Sequence, residues 1–230
     1  MFDIGVIGAL SQEVENLIST LRDAKCESYS GIDFHAGIIG EKSVVVAECG
    51  VGKVFAAICA EAMILKYSPK LIINTGVGGA LDKTLKTGDI VIAKSLVQHD
   101  MDTSALGDPK GLVSGINTVY FEADSRAVSI LQDAAAALSL SYLSGTVATG
   151  DKFISDCSDK ERIAGDFSAL ACEMEGCAIA HTAFVNNTPF AVVRAISDSA
   201  DGNATMDYPT FLPLAAKNST SLTLALIEKY

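Results

Sequence analysis

Three carboxylates in this chain stand where an apolar run stops: Glu13, Glu175 and Asp198. Glu175 lies in Cys172-Glu173-Met174-Glu175-Gly176, and Asp198 closes Arg194-Ala195-Ile196-Ser197-Asp198. Glu13 follows the first strand-like run at the other end of the sequence. A charge beside buried apolar surface is costly unless it is paired or used, so acids placed this way point to acid–base chemistry on a small molecule. Asp198 carries most of that argument, because the run before it is broken only by Arg194 and Ser197. Glu13 and Glu175 each have a plainer role open to them, since an acid in the first turn of a helix complements its dipole. Arg194 reads as a buried ion-pair partner for one of the acids.

Composition sets the frame that must hold these groups. The 230 residues are 49% apolar and 20% charged, enough for a sizeable core, and no linker, repeat or low-complexity tract divides them, so one domain is expected. A net charge of −11 opposes binding to nucleic-acid phosphates or to an anionic membrane surface. The three histidines are scattered without ligand spacing and the six cysteines form no C-x-x-C pair, so no zinc site is expected. The cysteines sit mostly in apolar runs and read as reduced, buried thiols; Met1 opens directly into a strand pattern, which makes the cytoplasm the expected location.

Strand-like and helix-like runs alternate along the chain. Strands are expected over 2–8, 34–39, 43–48, 71–74, 89–97, 142–149, 169–172 and 190–196. Helices are expected from Ser11 to about Arg22, from Gly52 to about Tyr67, over 124–140, over 159–163, over 175–184, and from a cap at Asp207 to the C-terminus. Residues 99–117 lack periodicity and form a long loop. The strands are apolar on both faces, which implies an α/β three-layer sandwich: a central mixed, largely parallel sheet flanked by helices. Ligands of such sheets bind beyond the carboxyl ends of the strands, and the turn after Gly8, Phe153, Glu175 and Asp198 all fall there. Gly76-Val77-Gly78-Gly79 is either a sharp turn or a place where backbone amides approach a ligand. Two nucleotide motifs fail. Gly5 and Gly8 have the wrong spacing for a dinucleotide fingerprint, and Gly50-Val51-Gly52-Lys53 has Ala47 and Val54 where a phosphate loop needs glycine and a hydroxyl.

Taken together, the motifs resemble the 5′-methylthioadenosine/S-adenosylhomocysteine nucleosidases of the nucleoside phosphorylase superfamily, nearly from end to end. The anchors are Gly5-Val6-Ile7-Gly8-Ala9-Leu10 with Glu13, Gly50-Val51-Gly52-Lys53, Asn74-Thr75-Gly76, Gly88-Asp89-Ile90-Val91, Thr149-Gly150-Asp151 with Phe153, Glu173-Met174-Glu175-Gly176 and Arg194-Ala195-Ile196-Ser197-Asp198. The resemblance implies hydrolysis of an N-glycosidic bond, releasing adenine and an S-substituted thioribose without a cofactor. It assigns Asp198 to a proton shared with adenine N7, Glu13 to the attacking water and Glu175 to the ribose hydroxyls. Phe153 would stack on the base, the Ile154 backbone would read its Watson–Crick edge, and Gly79 and Ser197 would also bind the substrate. Leu10, Val51, Met174 and Tyr208 would line the alkylthio side, with Leu106 arriving from a second subunit of a homodimer. Val77, Leu106 and Ser114 depart from the family pattern, where serine, an aromatic residue and proline are usual. A phosphorylase on the same fold, a non-catalytic adenosine-binding protein, and action on 5′-deoxyadenosine or 6-amino-6-deoxyfutalosine are the competing expectations.

Overall fold

The structure, a computed structural model, describes residues 1–198 and 204–230, with side chains for all of these except 204–209. Its centre is β1 (Ile4–Gly8), a five-residue strand buried at every position. Parallel neighbours flank it on both sides, β4 (Lys42–Glu48) and β5 (Leu71–Ala80). Burial on both faces is what a continuous apolar strand requires. Successive side chains alternate between the two faces. Val44 and Val46 join a core with Val14 and Leu17 of α1 (Ser11–Thr20), whereas Val45 and Ala47 pack with Cys59 and Met63 of α2 (Lys53–Tyr67).

The remaining helices complete two outer layers. On the α1 side lie α3 (Ser125–Ala137) and α6 (Ala204–Lys229); on the α2 side lies α5 (Gly176–Val185). The expected sandwich with a mixed sheet is therefore the architecture found, with one addition. Strand β5 pairs with both β9 (Ala169–Glu173) and β10 (Phe190–Asp198), and β6 (Ile90–Gln98) and β8 (Tyr142–Thr149) close the path between them. Five strands thus form a ring at one end of the sheet. The short β7 (Phe121–Glu122) hangs from β6.

Three expectations need correction. The segment 76–79 is no turn: it continues β5 in parallel register with β10. An unforeseen strand, β2 (Arg22–Tyr29), forms the far edge of the sheet against β3 (Ile32–Ile39), and most of its residues are exposed. Charged edge strands resist further pairing, but they carry no apolar signal in the sequence. The last helix starts at Ala204, so Asp207 falls inside it rather than capping it. The cysteines also divide: Cys26 and Cys157 are exposed, and the other four are buried.

Candidate active site

Strand β1 ends at Gly8, and the chain turns directly into α1, whose first turn carries Glu13. Glu13 is 4% exposed, and among the described residues its carboxylate is held by backbone donors: Ala9 N–H at 2.7 Å and Leu10 N–H at 3.0 Å to Oε2, and Val77 N–H at 3.0 Å to Oε1. The Val77 bond needs β5 to pass very close. A Cβ on Gly76 would stand 2.6 Å from Oε1, so only glycine fits there. Behind this strand, the Ser219 hydroxyl of α6 accepts from Gly76 N–H at 3.1 Å and lies 2.6 Å from Thr75 Oγ1. Burial raises the Glu13 pKa, while the Arg194 guanidinium and the three amides pull against it. An ionised carboxylate has about four acceptor positions, so three amides leave room for one more hydrogen.

Strand β9 ends in Glu173, and two residues later the chain enters α5. The two glutamates of this turn take different tasks. Glu173 accepts from Arg194 Nη2 at 2.5 Å, from the Glu175 and Gly176 amides at 3.0 and 2.6 Å, and from the Thr149 hydroxyl. It caps α5 and neutralises Arg194, and these partners outweigh burial to hold its pKa below the ordinary glutamate value. Glu175 is less engaged, and its Oε1 accepts only from the Gly52 N–H, at 2.7 Å, among the described residues. Burial first, and then the neighbouring Glu173, push its pKa up to about 7.

Asp198 owes its aim to a bulge. Ile196 pairs with Gly78 and Asp198 with Gly79, leaving Ser197 as the extra residue on β10. The Ser197 hydroxyl donates to Asp198 Oδ1 at 2.9 Å, and Lys160 Nζ of α4 (Cys157–Phe167) lies 3.1 Å from Oδ2. A Cβ on Gly79 would reach within 2.9 Å of Oδ2, so this glycine also clears space for an acid.

Glu13, Glu175 and Asp198 line one cleft. Leu10, Val51, Gly79, Phe153, Ile154, Met174 and Ser197 line it too. Ile154 is buried, whereas Phe153 and Val51 are 44% and 49% exposed and stand at the mouth. Leu106 is 84% exposed, on a 3-10 turn outside this cleft, and the Tyr208 side chain lies outside the described residues. Among the described residues, no group of His, Cys, Asp and Glu is arranged to hold a metal ion, and no helix is long and apolar enough to cross a membrane.

The profile of the phosphorylase superfamily matches residues 3–228. Within it, the chain is 39% identical over 227 residues to the 5′-methylthioadenosine/S-adenosylhomocysteine nucleosidase of Haemophilus influenzae strain PittEE, covering 98% of this chain and 99% of that one. The chain belongs to this nucleosidase family. It is accordingly an N-glycosyl hydrolase. The nucleosidase superposes with a TM-score of 0.96 on the Neisseria meningitidis member solved with methylthio-immucillin-A, at 33% identity with both chains fully covered. It is also similar to a futalosine hydrolase of Helicobacter pylori, with a TM-score of 0.95, 30% identity and coverage of 100% and 98%.

Reasoning from sequence missed Lys160, Ser219 and Cys172, the last of which also lines the cleft. Lys160 did leave a trace. With Ile163 and Phe167 it forms the buried stripe of α4, so a lysine fills a position where helical periodicity calls for an apolar residue.

Proposed function

We propose that this nucleosidase hydrolyses the N-glycosidic bond of 5′-methylthioadenosine and S-adenosylhomocysteine, with Asp198 as the acid toward adenine N7 and Glu13 as the base for water. The observation that carries this reading is the meeting of three buried acids from three different strand ends on one cleft. Departure of adenine leaves a cationic, oxocarbenium-like sugar, and preorganised carboxylates stabilise that charge. Loss of the Asp198 proton to the base adds its carboxylate to the buried acids Glu13 and Glu173 as the sugar becomes cationic.

Asp198 shares its proton with N7, so the base leaves neutral. Glu13, already holding three amides, orients water with its remaining acceptor position and takes the proton released on attack. Glu175 accepts from the ribose hydroxyls, Phe153 stacks on adenine at the mouth, and the Ile154 backbone meets the edge of the base, beside Gly79 and Ser197. Leu10, Val51 and Met174 receive the alkylthio group, joined by Leu106 of a second copy. The raised Glu13 pKa places the acid limb of kcat/KM at a higher pH than an ordinary glutamate would.

Against phosphorolysis stands the absence of any arginine lining the cleft among the described residues; Arg194 is engaged by Glu173 and Asn74, and Lys152, which does line the cleft, is paired with Asp159 at 2.5 Å. The alkylthio end is apolar and opens beside the half-exposed Val51, and such a pocket discriminates weakly between tails. The similarity to a futalosine hydrolase therefore bears on substrate range. The test is mass analysis of products from a panel of 5′-substituted adenosines and 6-amino-6-deoxyfutalosine in phosphate-free buffer. Adenine and a free thioribose from the two thioethers are expected; release strictly dependent on phosphate would overturn the assignment.

A further inference from the structure

Lys160 is only 2% exposed, yet it does not line the cleft. It stands behind Asp198, on the buried face of α4 beside Ile163 and Phe167. A lysine is almost never this deeply buried unless it is paired. Its Nζ lies 3.1 Å from Asp198 Oδ2, with both side chains 2% exposed, so little water screens the pair. The other carboxylate oxygen takes the Ser197 hydroxyl at 2.9 Å, and Gly79 closes the remaining side. Asp198 is thus gripped from α4, β10 and β5 at once. Tethering α4 to the sheet would not demand this arrangement, because apolar side chains at 163 and 167 already do that.

We propose that Lys160 is a positioning residue for the acid: its ammonium fixes the Asp198 carboxyl toward the purine and stabilises the carboxylate left when the proton departs. This rests on the assignment of Asp198 to N7. As the C1′–N9 bond breaks, its electron pair passes to the purine, and N7 takes the proton that Asp198 holds. The carboxylate then carries a full negative charge beside the Lys160 ammonium, which does not give up a proton itself. Lys160 touches neither sugar nor base, so its effect falls on bond cleavage and not on substrate binding.

The experiment compares Lys160→Met, Lys160→Gln, Lys160→Arg, Asp198→Asn and Asp198→Asn/Lys160→Met, with melting curves for each. Substrates are 5′-methylthioadenosine and its N7-methylated analogue, whose base leaves without an added proton. Lys160→Met and Lys160→Gln should lower kcat on 5′-methylthioadenosine by roughly 10- to 100-fold, a share of what one acid contributes, with KM within about threefold. Lys160→Arg should recover much of the loss, the N7-methylated substrate should be turned over at the parent rate, and the double variant should match Asp198→Asn. Parent-like kcat in a folded Lys160→Gln, equal losses on both substrates, or losses that multiply in the double variant would overturn the proposal. If Asp198→Asn alone keeps full activity, the assignment of the acid fails instead, and the two failures are told apart. Should Lys160→Met not fold, Lys160→Gln and Lys160→Arg decide it.

Discussion

At the scale of single residues, the acids of this cleft differ in what holds them, and their variants should differ accordingly. Asp198→Asn and Glu13→Gln keep shape and remove the proton chemistry. Each should lower kcat by about 10² to 10⁴-fold in protein that still unfolds cooperatively, with Asp198→Asn melting below the parent because it removes the buried carboxylate that pairs with Lys160; adenine release measured by absorbance checks this, and near-normal turnover in either would remove it from the assigned role. Glu175 makes a prediction about stability. Its pKa in the fold is pushed up to about 7 by burial and Glu173, above the ordinary glutamate value. The folded protein therefore holds a proton that the unfolded chain has lost in the window between those values. The stability this contributes is full below the ordinary glutamate range and is lost as pH rises through about 7. Glu175→Gln should melt with the parent at pH 5 and above it at pH 8, by roughly 5 °C. Equal melting temperatures at both pH values would count against a strained carboxylate.

At the scale of elements, the site depends on how β5, β9 and β10 are locked together. Arg194 on β10 spans all three, donating to Glu173 at the end of β9 and to the Asn74 side chain and carbonyl on β5. Removing one member of a buried pair leaves a charge uncompensated, so Arg194→Met should cost about 3–5 kcal/mol in denaturant unfolding. Adding Glu173→Gln should restore a good part of it; a double variant as unstable as the sum of the singles would show that the pair is not the source. The sequence made Arg194 legible as an ion-pair partner because a guanidinium inside an apolar strand stays charged and must find a buried acid. It did not make Gly76-Val77-Gly78-Gly79 legible as a strand. Glycine runs usually break strands, and the reason for these three glycines lies in other segments: Glu13, the Cys172 carbonyl and Asp198 occupy the space their side chains would need. Strand β2 was hidden for the opposite reason, since an exposed edge has no buried face to impose a pattern. The three acids could be picked out because burial and charge conflict within a few residues of each one. Lys160 belongs to the same class, but its conflict is visible only once the helical phase of α4 is fixed.

At the scale of the whole molecule, an apolar groove is left uncovered. A groove between α2 and α5 is lined by Val54, Ile58, Leu65, Ala178 and Val185, and Val54 and Leu65 are 69% and 67% exposed. Apolar patches of this kind mark an interaction surface. The long loop that carries Leu106 leaves the sheet at the groove's edge, where Gln98 lines the groove and Lys53 pairs with Asp100 at 2.6 Å. A second copy of this chain seated in the groove would cover the patch and give the 84%-exposed Leu106 a place beside the neighbour's alkylthio pocket. The proposed arrival of Leu106 from a second copy calls for a homodimer. Replacing Val54 and Leu65 together by aspartate should give monomers in sedimentation analysis, because each charge would have to be buried without a partner. The same variant should lose affinity for 5′-methylthioadenosine while its melting curve stays cooperative, since both residues are on the surface of the single chain. Leu106→Asp should leave the dimer intact and raise KM with little change in kcat, as expected of a residue that contributes only to binding the substrate's tail. A monomeric parent with full activity would instead show that one chain builds the entire site.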